Sequence, residues 1–221
     1  MTRRVACFVD GLNLQHSLRA AEEVAGMGPL RWLDLHRLCR SFAPLVAQDA
    51  RLASIDYFTA LPHHLAQTEP SRLQRHLLYL RALGTLSEPT VTVHEGRISR
   101  QTIQVMRDGR KERWETWREK GTDVALAAAV LEKAGGGGMD DAVIVSGDAD
   151  YIPLATAFAR MHPDKSLRFA LPFRREPREI RRAAPLSFSL SAQSYAACQL
   201  PDSIALPNGK VIHRPSEWTE D

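Results

Sequence analysis

The sequence predicts an α/β domain built on a mainly parallel central sheet flanked by helices. Two short apolar runs, each ending in carboxylates and each followed by a helical pattern, carry that prediction. The first is Val5 to Val9, leading into Asp10-Gly11-Leu12-Asn13. The second is Ala142 to Val145, leading into Ser146-Gly147-Asp148-Ala149-Asp150-Tyr151. An uninterrupted apolar run of this length fits a strand buried on both faces, as in a parallel sheet. With 221 residues, 44% hydrophobic and 25% charged, the chain is long enough for one sizeable core.

Ligands of open α/β sheets bind outside the carboxyl ends of the strands, so Asp10, Asn13, Asp148 and Asp150 stand where a site is expected. Asp148 and Asp150 repel each other, and no basic residue lies between Asp140 and Arg160. A hard divalent cation with oxygen ligands is the simplest way to offset that repulsion. A plainer reading makes the Asp-rich turn a cap for a helix starting near Pro153. In that reading Asp10 is a turn former and Asn13 a helix N-cap.

Taken in order, Leu33 to Phe42 carries a helical stripe of Leu35, Leu38, Cys39 and Phe42. Ala53 to Leu61 reads as a strand closed by Pro62, and Ser71 to Leu83 as a helix stopped by Gly84. His63 and His64, in the loop between them, lack the spacing of metal ligands and are expected to be exposed or capping. Val91 to Val105 alternates, with a turn expected at Glu95-Gly96, which suggests a hairpin or edge pair rather than a central strand. Arg97 to Lys120 holds eight basic and four acidic residues interleaved with Trp114 and Trp117. Basic residues hold phosphates and aromatic faces stack bases, so this segment is a candidate nucleic-acid arm; its alternative is a solvated helix face.

Thr122 is a good N-cap for an Ala-rich helix running to Ala134, with Asp123 in the first turn, where the macrodipole favours an anion. Pro153 to Met161 is the helix after the second buried strand, and Leu167 to Leu171 a further strand. Arg174 to Arg182 is expected to form a helix with one basic side, followed by a short strand at Phe188 to Leu190 and a short helix at Ser194 to Gln199. From Pro201 onward the composition suggests an extended tail that either packs over the core or is mobile, giving a domain over residues 1–200 and a tail over 201–221.

Net charge is only +3, so any basic surface is local. Cys7, Cys39 and Cys198 are widely spaced without a C-x-x-C pair, which predicts reduced thiols and a cytoplasmic location rather than a disulfide framework or zinc site. No stretch approaches a membrane span or a signal peptide.

Strand-Asp10-Gly11-Leu12-Asn13, Lys120-Gly121-Thr122-Asp123 at a helix start, and strand-Ser146-Gly147-Asp148-Ala149-Asp150-Tyr151 together resemble the NYN domain family of PIN-like ribonucleases. The resemblance covers roughly residues 4 to 200. It implies an acidic metal cluster of Asp10, Asp123, Asp148 and Asp150, lined by Asn13 and Ser146, and a ribonuclease using Mg²⁺ or Mn²⁺. RNA would be held by Lys120, Ser146 and the arginine-rich segment of Arg174, Arg175 and Arg178. Tyr151 stands where the family often has Phe. Two rivals come from other classes: an RNA-binding or scaffold protein of the same fold without turnover, and another Asp-dependent phosphohydrolase. A haloacid-dehalogenase-type phosphatase needs Asp-x-Asp after its first strand, where this chain has Asp10-Gly-Leu-Asn13. No G-x-G-x-x-G follows a strand, which disfavours dinucleotide binding.

Overall fold

A computed structural model describes residues 2–85, 88–107, 110–206 and 208–218. The first half runs β1 (Arg4–Asp10), α1 (Gly11–Val24), α2 (Leu35–Val46), β2 (Arg51–Thr59), α3 (Pro70–Leu83), β3 (Val91–Glu95), β4 (Arg97–Arg107) and β5 (Arg110–Lys120). The second half runs α4 (Thr122–Gly135), β6 (Asp141–Val145), α5 (Ile152–Met161), β7 (Ser166–Leu171), α6 (Arg178–Ala183), β8 (Phe188–Ser189), α7 (Ala192–Ala196), β9 (Ser203–Ala205) and β10 (Val211–His213). Six strands pair in the order β3-β2-β1-β6-β7-β8, and each neighbouring pair is parallel.

The apolar runs lie at the centre because their side chains are needed on both faces. Val5, Cys7 and Val9 pack with Leu14, Leu38 and Tyr79 on one side of the sheet. Ala6 and Phe8 pack with Leu126, Leu154 and Phe158 on the other. Successive strand residues point to opposite faces, so helices must cover both, and neither face of β1 is left to water. Phe8 and Ile144, both fully buried, each contribute about 1.5–3 kcal/mol relative to exposure.

Strand order reverses between β1 and β6. The chain builds outward through β2 and β3 on one side, and through β7 and β8 on the other. The crevice beside the carboxyl ends of β1 and β6 is therefore the position favoured for a ligand in such sheets.

Several local expectations are corrected. The segment Val91 to Val105 does not fold back on itself: β3 joins β2 in parallel as a sheet edge. The hairpin is instead β4 with β5, in register from Arg97↔Lys120 to Arg107↔Arg110. Its alternating side chains suit a two-faced ribbon, not the solvated helix considered from sequence. Helix α4 is capped by Gly121 (φ 91°) rather than Thr122, which is already inside the first turn; the positive φ favours glycine there. Arg174 and Arg175 precede α6 rather than forming it, and the short helix near the end is Ala192–Ala196, earlier than expected. Residues after Pro201 include the antiparallel pair β9 and β10, whose Ile204 and Ile212 are buried in the core. All three cysteines are free and buried. Among the described residues no helix is long and apolar enough to cross a membrane.

Candidate active site

Asp10 is the last residue of β1 and caps α1, its Oδ1 accepting from the backbone N–H of Asn13 at 3.0 Å. Its Oδ2 accepts from the Ser146 hydroxyl at 2.9 Å. Burial pushes the Asp10 carboxyl up from its ordinary value; these two donors oppose that, and the charges of Asp123 and Asp148 add to it. Asn13 is buried and accepts from the backbone N–H of Gly147 at 3.0 Å, which ties the start of α1 to the end of β6. Gly147 admits no side chain, because a Cβ there would collide with the Arg175 backbone. The close approach brings the loop before α6 against the same edge.

Ser146, expected as a nucleic-acid contact, is fully buried. Its hydroxyl also accepts from the backbone N–H of Asp148 at 3.1 Å, so it braces Asp10 against the next loop. Asp148 in turn caps a short 3₁₀ turn, Ala149–Tyr151, by accepting from the backbone N–H of Asp150 at 3.0 Å. Asp123, in the first turn of α4, accepts from the Tyr151 hydroxyl at 3.0 Å. The phenol at this position thus holds a carboxylate, and burial together with the nearby acids keeps it protonated.

A depression of about 380 Å³ is lined by Asp10, Asn13, Asp123 and Asp148. Glu119, Trp117 and Arg118 from β5, with His16 and Arg175, complete much of its wall. Asp150 is exposed and is not among the lining residues, nor are Lys120, Arg174 and Arg178. Sequence reasoning missed Glu119, taking its segment only as a basic arm. Its pKa is pushed up to about 7, first by burial and then by the charges of Asp10 and Asp123. No local pattern marked it, since its acidic neighbours come from other segments. His16 is held below its ordinary value by burial and by Arg175 and Arg19, which favours the neutral ring.

Among the described residues no three His, Cys, Asp or Glu side chains are arranged to hold a metal ion. Protein donors engage both oxygens of Asp10 and one each of Asp123 and Asp148. The donor set nonetheless fits a hard cation in its chemistry: carboxylate oxygens facing one depression, close enough for Asp10 and Glu119 to feel the other charges.

A second space, about 280 Å³, lies on the other side of Leu12, which lines both. On its side stands His64, whose ring stacks on Trp117 at 4.5 Å between centroids. Trp117 belongs to the depression.

The model of the NYN domain matches residues 4–190. The chain belongs to the NYN domain family. That places it in the PIN-like ribonuclease superfamily. This NYN protein is also 25% identical to the 6-hydroxy-3-succinoylpyridine 3-monooxygenase HspA of Pseudomonas putida, over 97% of this chain and 75% of that protein. A crystal structure of a protein of unknown function from Vibrio parahaemolyticus is similar with a TM-score of 0.49 and 18% identity. It covers 86% of this NYN chain and 94% of that one.

Proposed function

We propose that this NYN protein is a metal-dependent ribonuclease that hydrolyses RNA phosphodiester bonds in the depression at the ends of β1 and β6. The observation that carries this reading is the meeting of Asp10, Asp123, Asp148 and Glu119, from four separate segments, on one wall beside Arg118 and Arg175. Asp10, Asp123 and Asp148 would hold Mg²⁺ or Mn²⁺, with Asp150 taking part through water. Such an ion, when bound, activates water and neutralises charge on the phosphoryl oxygens.

The chain's own groups supply the rest. Ser146 and Asn13 fix Asp10 and the Gly147 loop, so the carboxylates need not reorganise during reaction. Tyr151 orients Asp123. Arg118 and Arg175 offer guanidinium donors to the scissile phosphate. Glu119, which shares the depression with Asp10 and Asp123, would give a proton to the leaving oxygen as a general acid. Lys120, Arg174 and Arg178 would hold more distant phosphates. The protein would work in the cytoplasm.

The test is incubation of wild type and Asp148→Asn with labelled single-stranded and structured RNA in Mn²⁺, Mg²⁺ or EDTA. Cleavage by wild type alone, and only with metal, is expected. Equal cleavage in EDTA or by the variant would overturn the reading; binding without cleavage under every condition would support an RNA-binding protein of this fold.

A second reading rests on the 25% identity to the Pseudomonas monooxygenase, which spans 97% of this chain. It makes this protein a hydroxylase of a small ring compound, using dioxygen and a two-electron donor. Dioxygen uptake dependent on a hydroxypyridine and a two-electron reductant would favour it over the nuclease.

A further inference from the structure

We infer that the cavity beyond Leu12 is a binding site for one flat heteroaromatic ring carrying an acidic group. The size suits one small ring: about 280 Å³ lies just below the roughly 300–1,000 Å³ of sites for drug-sized ligands. Its walls are aromatic. Tyr57, Tyr79 and Trp218 all line it, with Tyr79 edge-on to both of the others at 6.4 and 6.2 Å between centroids. Rings offset or edge-on in this way accept a further flat ring without leaving the favoured stacking geometries.

The charge of the lining selects the ligand's sign. Arg19, Arg31, Arg72 and Arg75 line the cavity, and no carboxylate does so among the described residues. Three of these arginines have a carboxylate partner outside the lining: Glu22 for Arg31 (3.2 Å), Glu69 for Arg72 (3.7 Å) and Glu217 for Arg75 (2.7 Å). A guanidinium has five N–H donors, so these single pairings leave donors for an anion. A cationic ligand would meet only like charge.

Two histidines add polar edges. His76 Nε2 lies 3.1 Å from Gln15 Nε2. With the amide donating, the other ring nitrogen carries the proton and can donate to a ring heteroatom or an acid oxygen. His64 Nδ1 is buried without a hydrogen-bond partner, and buried polar atoms are rarely left so. Both histidines line the cavity.

Two sources supply this chemistry: a nucleotide, as a base with its phosphate, or a free heteroaromatic acid. The site does not depend on the carboxylate depression or on cleavage. Titration calorimetry on the full chain in EDTA separates the sources, using uridine 5′-monophosphate, uridine, inorganic phosphate and pyridine-3-carboxylate. The expected result is saturable binding of uridine 5′-monophosphate or pyridine-3-carboxylate, with uridine and phosphate at least tenfold weaker. The double variant Arg72→Gln/Arg75→Gln should weaken the bound probe at least tenfold at an unchanged melting temperature. Should the double variant fail to fold, Leu65→Trp, which fills the cavity from its wall, provides the same loss. Preference for the nucleotide makes the cavity a nucleotide subsite, and preference for the pyridine acid makes it a metabolite site. Absence of saturable binding by either ring acid, or binding unchanged in a folded variant, overturns the inference. RNA cleavage that survives such a failure leaves the nuclease reading standing.

Discussion

Glu119 senses the charge gathered in the depression. Its carboxyl titrates near pH 7 when folded against an ordinary 4.5, so between those values the native state binds the extra proton. Stability from this group is therefore fully present below about pH 4.5 and is lost as pH rises through about 7. Asp10, raised in the same direction, adds to the slope. Glu119→Gln keeps the shape and carries no charge, so in EDTA its melting temperature should fall less between pH 5 and 8 than that of wild type. Parallel curves for the two proteins would show that Glu119 feels no such field. Asp148→Asn makes the companion case: an Asn Oδ1 can still accept from the Asp150 N–H, while one of the repelling charges disappears. The metal-free variant should melt higher than wild type and should not cleave RNA. A lower melting temperature would make Asp148 a structural cap and nothing more. Asp10, Asn13 and Asp148 were legible in the sequence because each lies at the end of a buried strand or within three residues of it. Glu119 was not, since only folding gives it acidic neighbours.

At the scale of elements, two basic features flank the depression by different means. The loop before α6 brings Arg175 into the wall, while Arg174 and Arg178 are not part of it. Charge reversal at all three should lower the salt dependence of RNA binding by about 0.7 in slope for each phosphate of a single strand that the variant no longer neutralises. An unchanged slope, measured by fluorescence anisotropy over a salt series, would move the phosphate-binding surface to the β4–β5 hairpin. That hairpin presents Trp114 and Trp117 on opposite faces, since they are three residues apart on one strand. The two are about equally exposed, at 48% for Trp114 and 47% for Trp117, but Trp117 already stacks on His64, which leaves Trp114 as the ring free to take a base. Trp114→Ala should therefore weaken single-stranded RNA by about 1–3 kcal/mol if a base stacks there, with no change in thermal stability. Equal affinity of the variant would assign the exposed ring no part in binding.

Over the whole molecule, metal binding and stability are linked by mass action. Wild type should gain about 1.4 kcal/mol from Mn²⁺ or Mg²⁺ at roughly ten times the dissociation constant, and Asp148→Asn much less. Thermal unfolding with and without metal measures both, in the absence of RNA. A wild-type protein that gains nothing from either ion would rule out the carboxylate wall as a metal site, whatever its activity. The arrangement of the sheet gives this linkage its physical basis: β1 and β6 are neighbours in parallel register, Val9 opposite Val145, so the residues that follow them emerge side by side.

What the sequence determined by itself was the parallel α/β core and the strand ends that face its crevice. Uninterrupted apolar runs such as Val5 to Val9 and Ala142 to Val145 can be satisfied only by cover on both faces, and that demand is local to the run. Tertiary structure alone decided that β3 joins the main sheet, that β4 and β5 pair as a separate ribbon, and that Ile204 and Ile212 enter the core. It also decided that Ser146 is an internal brace, and that an aromatic cavity with four arginines in its wall adjoins the carboxylates. Periodicity records how each segment divides its own residues between core and solvent. The partner of an exposed ribbon, and the field inside a cleft, depend on segments far apart in the chain, and no local pattern contains that sum.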